Sequence, residues 1–316
     1  MKIIEVETLP PDDSQPLVLM IGKFDGIHKG HQKILETAQL YKQKEEILAV
    51  MSFSEHPLWI LTGDVAYKEK LTPEPEKIRF LQEFGVKRYY RIPFTKEYAN
   101  LSAKTFILEH IARLNVKRII VGEGFVFGKG REGGTKELST YCRKLNIQVI
   151  VVPLETENGA KMSSSLIRAF IRKGKIKEAN ALLYRPFTII GTVISGQALG
   201  RKLGFPTANM ELTDTYVLPK PGIYVGRATV GAYSKKWNVL ISAGYRPTVN
   251  GDHYLIEVHF LNFNDDLYGR KIAVSFLHYL REEIKFQGLD PLIEQMKKDK
   301  LEAGKILPLI NHNNVP

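Results

Sequence analysis

The 316-residue sequence contains a single cysteine, Cys142. One thiol excludes an internal disulfide framework and a cysteine-rich metal site, which leaves an inert thiol in a helix as the simplest interpretation. No window approaches about eighteen apolar residues, and the first residues lack the uninterrupted apolar core of a signal peptide. Internal repeats and low-complexity segments are also missing. We therefore expect a globular protein of the cytoplasm.

The charge of the chain favours an anionic ligand. The formal net charge is +11, while 44% hydrophobic and 25% charged residues are typical of a globular protein. Lysine and arginine are spread along the whole chain, with no basic tail and no long run of one sign. This distribution favours small polyphosphates over a nucleic-acid stripe or a lipid surface. We expect small-molecule substrates and neither nucleic-acid nor membrane partners.

The N-terminal half alternates strand-like and helix-like segments. Apolar runs predict strands over 17–21, 47–53, 88–92, 118–121 and 149–152. Amphipathic segments predict helices over 31–44, 75–84, 103–114 and 135–145. Such alternation predicts a Rossmann-like α/β domain, in which helices cover both faces of a parallel sheet. Ligands then bind beyond the carboxyl ends of the strands, and Gly22 follows the first of those ends.

From Phe187 onward the sequence becomes rich in short strands. Two helices joined at Gly174 are predicted over 165–183. The β-rich runs then cover 187–194, 222–230, 237–244, 253–263 and 271–280. Short strands separated by turn residues predict an all-β barrel or sandwich, closed by a charged helix near 289–303. Because the chain is long for one core, we predict two domains, 1–184 and 185–316.

The stretch IGKFDGIHKGHQKIL, at 21–35, has the pattern of an anion site. A glycine-rich turn between a buried strand and a helix leaves backbone N–H groups and a positive helix end facing an anion. His28 and His31 lie one helical turn apart, so both imidazoles can face one pocket and donate to a reacting phosphate. Zinc ligation and a place in the core are the alternatives. No cysteine or third histidine lies at ligand spacing.

Two further segments of this half are candidates for ligand contacts. The helix start SSSLIR, at 163–168, offers hydroxyl and N–H groups, and Arg168 can reach back to a polyphosphate. An ordinary serine cap is the alternative. Phe125 and Phe127 alternate with small residues in GFVFG, at 124–128. They either line the slot of a flat aromatic ligand or belong to the core.

The β-rich half has its own glycine-rich motif, GQALGRKLGFPTAN, at 196–209. Three glycines around Arg201 and Lys202 indicate a flexible flap whose N–H groups close over phosphates, although a hairpin without a ligand is the alternative. In the following turn, Thr207 and Asn209 offer a hydroxyl and an amide oxygen two residues apart. Oxygen ligands at this spacing suit Mg²⁺ on ATP.

Glu257 is a candidate general base. It alternates with Ile256 and Val258 in an otherwise apolar strand, so its side chain points to the opposite face from theirs. A carboxylate buried in a barrel costs free energy unless it is paired or takes part in chemistry. A structural salt bridge is therefore the alternative to a role in proton transfer.

Motifs in both halves resemble one enzyme family, the bacterial bifunctional riboflavin kinase/FAD synthetases. GKFDGIHKGH resembles their signature G-x-F-D-G-x-H-x-G-H. FSEHP at 53–57, VGEGFVFGKGREG at 121–133 and SSSLIR resemble F-x-P-H-P, V-G-x-D-F-x-F-G and S-S-T-x-I-R. GRKLGFPTAN matches G-R-x-L-G-F-P-T-A-N at every fixed position, and the similarity continues through PGIYVG, GYRPT, IEVHFLNF, DLYG and REEIKF. The chain departs from the family at Glu55, where proline is usual, and at Gly124, where aspartate is usual.

The resemblance implies a path from riboflavin through FMN to FAD. Glu257 would be the base for phosphorylation of riboflavin by ATP, with Mg²⁺ on Thr207 and Asn209. His28 and His31 would hold the α-phosphate of ATP while FMN attacks it. Ser163, Ser164, Ser165 and Arg168 would hold the β- and γ-phosphates, and Asp25 would orient the turn or the metal. The other implied ATP- and flavin-binding residues are Gly22, Phe24, Gly26, Gly30, Phe125, Phe127, Gly200, Arg201, Lys202, Gly204 and Arg281.

Two other functions stay open on the sequence alone. One is an enzyme with a single activity, the adenylyltransferase being the less secure because Glu55 and Gly124 lie where flavin should bind. The other is a non-catalytic regulator that binds flavin or RNA, which only the charge of +11 supports.

Overall fold

A computed structural model of the chain describes residues 1–153, 156–157, 160–196, 200, 203–231, 235–248, 251–263 and 265–312. It divides into two compact units, Met1–Ser164 and Ser165–Pro316. The predicted boundary between residues 184 and 185 lies later in the chain and stays a prediction about where the functional domains separate. Among the helices of the described ranges, none combines the length and apolar character needed to cross a membrane.

The first unit is built on six parallel strands in the order β1-β4-β3-β2-β5-β6. They are β1 (Lys2–Glu5), β2 (Asp13–Ile21), β3 (Ile47–Phe53), β4 (Val86–Ile92), β5 (Leu114–Gly122) and β6 (Gln148–Val152). The predicted parallel sheet is confirmed. Strand β1 was not predicted because it is a four-residue edge strand with one buried side chain, Ile4, and therefore has little apolar periodicity.

Helices cover both faces of this sheet. They are α1 (Lys29–Tyr41), α2 (Pro57–Thr62), α3 (Glu74–Glu83), α4 (Lys96–Ala99), α5 (Ala103–Thr105) and α6 (Thr135–Arg143). Leu35 and Ala38 of α1 and Leu81 of α3 pack in one core. Leu138 and Cys142 of α6 pack in a second core. The segment after α5 forms a π-helical turn, Phe106–His110, and a 3₁₀ turn, Ile111–Arg113. A short hairpin follows the sheet, β7 (Thr156–Glu157) and β8 (Ala160–Lys161).

Six antiparallel strands close into a barrel in the second unit, in the order β10-β13-β12-β11-β14-β9. They are β9 (Phe187–Ile194), β10 (Ala208–Leu212), β11 (Gly222–Val230), β12 (Trp237–Thr248), β13 (Gly251–Phe260) and β14 (Lys271–Arg281), followed by α9 (Leu289–His312). Of the predicted barrel or sandwich, the barrel is therefore correct. Strand β10 was not predicted because its five residues, ANMEL, directly follow the proline turn.

The helices α7 (Ser164–Arg172) and α8 (Ile176–Leu183) precede the barrel. Asn180 of α8 is buried, and its amide donates to the carbonyl of Phe276 at 2.8 Å and accepts from the N–H of Phe187 at 2.7 Å. Both bonds satisfy backbone groups of barrel strands that would otherwise be buried without partners. This explains why the second unit begins at Ser165, before the first barrel strand.

Candidate active sites

The turn after β2 has an unusual backbone. Phe24, Gly26 and Ile27 have φ angles of 51°, 88° and 38°. Left-handed conformations cost free energy for residues other than glycine, and they persist where the surroundings hold them. Here Phe24 and Ile27 are 0% and 1% exposed. Burial of these two side chains therefore fixes the turn that leads into α1.

The two histidines of this turn form a stacked pair. His28 is the cap residue before α1, and His31 lies in the first turn of that helix. Their ring centroids are 3.9 Å apart with an interplanar angle of 26°, and the Phe24 ring centroid lies 5.1 Å from that of His31. His28 is 6% exposed. The rings thus lie side by side at a helix N-terminus, where the backbone dipole favours an anion.

Gly30 controls the position of this pair. A Cβ atom at residue 30 would lie 3.2 Å from Cε1 and 3.3 Å from Nδ1 of His28. Because this contact is tighter than ordinary van der Waals packing, Gly30→Ala should turn the His28 ring away. We expect the AMP transfer to FMN that the family resemblance implies to fall about tenfold. Chromatography of FAD formed from FMN and ATP measures the effect, and an unchanged rate would show that the His28 orientation does not matter.

Asp25 ties the turn to a distant loop. Its Oδ1 accepts from the N–H groups of Leu71 and Thr72, at 3.0 and 3.1 Å. Its backbone carbonyl accepts from the Ser164 hydroxyl at 2.8 Å. Asp25 therefore connects the turn with the entry to α3 and with the start of α7. These are the contacts expected of a residue that orients the turn. The predicted role of Asp25 in orienting a metal stays a prediction.

Lys77 of α3 is a residue that the sequence did not single out. A lysine on an amphipathic helix indicates a solvated face, yet Lys77 is only 7% exposed, with Nζ 5.5 Å from the centroid of the Tyr89 ring. Burial lowers its pKa, and the carboxylates of Glu74 and Asp25 partly oppose that shift. Lys77 therefore lies buried within Coulombic range of Asp25 in the histidine turn.

The remaining predicted residues of this half fall into two groups. Gly22, Gly26 and Ser163 belong to the same turn or to the start of α7, and a Cβ at Gly22 would meet the Phe24 ring at 3.3 Å. Phe125 and Phe127 stack with centroids 5.4 Å apart and pack on the core that contains α6, not on the one that contains Phe24. Ser165, which is exposed, and Arg168, which is buried, lie on α7 in the second unit. Their predicted roles stay predictions.

In the barrel, two predicted residues face each other across neighbouring strands. Asn209 of β10 is the register partner of Glu257 of β13. Directly opposed residues of an antiparallel pair point to the same side of the sheet. Glu257 lines a cavity of about 280 Å³, as does Thr207, while Ile256 and Val258 are 1% and 0% exposed. The predicted alternation of Glu257 with buried neighbours is present in the structure.

Two glycines of the GQALGRKLGFPTAN motif make room for the polar side chains. A Cβ at Gly196 would lie 2.0 Å from Nδ2 of Asn209. A Cβ at Gly200 would lie 2.4 Å from the carbonyl oxygen of Phe205 and 3.3 Å from Oγ1 of Thr207. Side chains at these positions would displace the hydroxyl and the amide. Arg201 and Lys202 lie outside the described residues, and Gly204 has a φ of 79° in the turn between them and Phe205.

We expect Gly200→Ala to impair the barrel site. The new methyl group would collide with the backbone of Phe205, which cannot rotate away as a side chain end can. The phosphorylation of riboflavin that the family resemblance implies should fall about 100-fold, because a misplacement of about 1 Å has effects of that size. AMP transfer to FMN by the same protein should not change. Comparable loss of both steps would contradict this local explanation.

The base candidate Glu257 is held by an arginine. Arg246 NH2 lies 3.5 Å from Oε2 of Glu257, and NH1 lies 2.7 Å from Oε1 of Glu283. Burial disfavours the charge of Arg246, but the carboxylates of Glu283 and Glu257 raise its pKa above the ordinary value. The salt bridge that the sequence analysis gave as the alternative to proton transfer by Glu257 is therefore present. It engages Oε2, and among the described residues Oε1 of Glu257 has no partner.

Arg281 is also paired. Its Nε donates to Oδ1 of Asp299 at 2.8 Å and its NH2 donates to Oδ2 at 2.5 Å, which is a bidentate pair between β14 and α9. Both residues line the cavity, and Asp299 is 5% exposed. The predicted substrate contact of Arg281 stays a prediction, while the observed contact anchors α9 at the cavity wall.

Sequence reasoning missed several residues of the cavity. His259, two residues after Glu257, lines it, and burial lowers the pKa of this imidazole. Strand alternation from Glu257 was a signal for His259. Arg246, Glu283 and Asp299 carried no such signal, because their places depend on the packing of β12, the end of β14 and α9.

Comparison with known proteins matches one family model to each half of the chain. The FAD synthetase family model matches residues 11–166, and the riboflavin kinase family model matches residues 183–307. The chain is 38% identical over 290 residues to the bifunctional riboflavin kinase/FMN adenylyltransferase of Bacillus subtilis, with 90% of this chain and 91% of that protein covered. It is 35% identical over 312 residues to the protein of the same name from Escherichia coli, with 98% and 99% covered.

The fold also matches a solved structure. A crystal structure from Streptococcus pneumoniae, described as a macrolide-efflux protein, is similar with a TM-score of 0.86 and 31% identity, over 94% of this chain and 97% of that one. Two family models cover most of the chain in order, and full-length relatives share more than a third of its residues. The chain therefore belongs to the bifunctional riboflavin kinase/FMN adenylyltransferase family.

Proposed function

We propose that this protein makes FAD from riboflavin in two steps, first forming FMN in the barrel and then transferring AMP to FMN in the α/β unit. The observation that carries the proposal is the coincidence of a family match with an assembled polar site in each unit. The stacked pair of His28 and His31 lies in the first match, and the pair of Asn209 and Glu257 lies in the second.

In the barrel step, the ribityl 5′-hydroxyl of riboflavin attacks the γ-phosphorus of ATP. The bond from that phosphorus to the bridging oxygen breaks, and ADP leaves. Glu257 takes the hydroxyl proton through its carboxylate, which Arg246 holds in place. Phosphoryl transfer depends on alignment of the reactants and on neutralisation of the phosphate charge. The position of the Glu257 carboxylate therefore matters more than its strength as a base.

In the second step, a phosphate oxygen of FMN attacks the α-phosphorus of ATP. The new P–O bond forms as the bond to pyrophosphate breaks, and FAD results. His28 and His31 donate to the α-phosphate oxygens as their charge increases, and the N-terminus of α1 adds its dipole. Ser163, Ser164, Ser165 and Arg168 hold the β- and γ-phosphates.

The donor set of the barrel site fits Mg²⁺. Thr207 and Asn209 offer oxygen atoms, and Gly200 and Gly196 leave room for these two side chains. In phosphoryl transfer, Mg²⁺ takes few protein ligands besides phosphate oxygens and water. Among the described residues, no group of three or more His, Cys, Asp or Glu side chains could hold a metal. Thr207 and Asn209 would therefore hold the ion through neutral oxygens. When bound, it neutralises phosphate charge.

One assay tests the proposal. Purified protein is incubated with ATP, Mg²⁺ and either riboflavin or FMN, and the FMN and FAD formed are followed by chromatography. FMN followed by FAD is the expected result. FMN alone would leave only the kinase, and FAD formed only from added FMN would leave only the adenylyltransferase. No product, together with tight binding of flavin or RNA, would favour the regulator.

The proposal includes a cytoplasmic location and small-molecule partners alone. The single cysteine suits a reducing compartment. The even spread of lysine and arginine provides no stripe for nucleic acid. We also propose that the functional domains meet between residues 184 and 185.

A further inference from the structure

The turn that carries the proposed metal ligands is held from one side by Gly200. The carbonyl of Gly200 accepts from the N–H groups of Leu203 and Phe205, at 3.1 and 2.8 Å. The absence of a side chain at Gly200 lets Phe205 and Thr207 approach it closely. These contacts fix the start of the turn, but none of them orients the peptide group between Pro206 and Thr207.

His259 contacts this peptide group. Its Nδ1 lies 2.8 Å from the carbonyl oxygen of Pro206. Because a carbonyl only accepts, Nδ1 carries the proton and donates. The His259 ring also packs against the Phe205 ring, with centroids 5.5 Å apart. One imidazole thus contacts two consecutive residues of the turn.

Strand register explains why this contact reaches the site. Ala208 pairs with Val258 and Asn209 pairs with Glu257. The same register carried one residue further places Thr207 opposite His259. Thr207, Asn209, Glu257 and His259 therefore share one side of the β10–β13 pair, and three of them line the cavity, namely Thr207, Glu257 and His259.

We propose that His259 is a positioning residue for riboflavin phosphorylation, whose Nδ1–H fixes the Pro206–Thr207 peptide plane and thereby holds the Thr207 hydroxyl toward the phosphates of ATP. The proline ring already fixes one backbone dihedral of residue 206. The hydrogen bond from His259 fixes the carbonyl end of the same residue. The inference rests on the proposed kinase function.

Two substitutions distinguish this role from simple packing. His259→Asn places an amide NH₂ at about the position of Nδ1, whereas His259→Gln places one at about that of Nε2. We expect His259→Gln to raise the KM for Mg·ATP about tenfold, as loss of one hydrogen bond would, with the KM for riboflavin unchanged. His259→Asn should restore the KM for Mg·ATP to within about threefold of the original value. His278→Gln, which alters a half-buried imidazole of β14 outside the described cavity lining, is the matched control.

Two readouts do not depend on turnover. Nitrogen-15 NMR of the unaltered protein should show His259 protonated at Nδ1. Hydrogen exchange of the segment 205–209 should be faster in His259→Gln than in His259→Asn. An Nε2-protonated ring, equal exchange in the two variants, or a change in the KM for riboflavin alone would overturn the proposal. If the unaltered protein does not phosphorylate riboflavin, the kinase function fails, and the NMR and exchange results still decide whether His259 orients the turn.

Discussion

Glu257→Gln should reduce the phosphorylation of riboflavin about 1000-fold, because a positioned base contributes on the order of 10²–10⁴ to such a step. The substitution keeps the shape of the side chain and the cross-strand pairing with Asn209, but the amide cannot take the hydroxyl proton. It also removes one of the two carboxylates on Arg246, so Arg246 should bind Glu283 alone. FMN formed from riboflavin and ATP is the quantity to measure.

The same preparation supplies the control for folding. FMN given directly to the Glu257→Gln protein should still be converted to FAD at the original rate. Glu211→Gln, which changes an exposed carboxylate of β10, should leave both steps intact. If the Glu257→Gln protein still phosphorylates riboflavin at the original rate, Glu257 is not the base. Its role would then be the ion pair with Arg246.

His31→Ala should have the opposite selectivity and lower the conversion of FMN to FAD about 100- to 1000-fold, the range seen when one preorganised donor is removed. The loss should be mainly in kcat, because donation to the α-phosphate strengthens as charge develops. Riboflavin phosphorylation by the same protein should continue. A KM effect without a kcat effect would indicate ground-state binding only.

The stacking of the two histidines predicts that their contributions are not independent. With ring centroids 3.9 Å apart, removal of the His31 ring takes away the ring on which His28 stacks. The double variant His28→Ala/His31→Ala should therefore be little worse than His31→Ala alone. Additive losses would show that the two imidazoles act on separate groups of the substrate.

Local sequence patterns predicted most of the fold. The apolar runs of β2 and β3 and the amphipathic spacing of α1 are strong signals, since burial imposes them residue by residue. The signal fails where burial is slight or the element is short. Strand β1 buries only Ile4, and β10 follows a proline turn that masks its alternation. The π-helical turn at Phe106–His110 has no distinct sequence pattern.

The residues of the candidate sites also divide into those that local sequence predicts and those that only tertiary packing places. Residues that share a motif, such as His28 and His31, were predicted because a helical turn brings them together. Lys77 and Arg246 could not be predicted, because the sequence does not show which side chain tertiary packing will place near Asp25 or Glu257. His259 lies between these cases, since strand alternation gives its side but not its bond to Pro206.

The pairing of Asn209 with Glu257 also limits which insertions and deletions the chain tolerates. Side chains alternate along a strand, so one residue inserted between Thr207 and Asn209 would turn the amide to the buried face that carries Ile256 and Val258, inside the barrel. An insertion of two would restore the face but shift the amide past the carboxylate by about 7 Å. Insertions and deletions should thus be rare within the first residues of β10, whereas closure entropy alone penalises extra residues in a preceding loop only weakly.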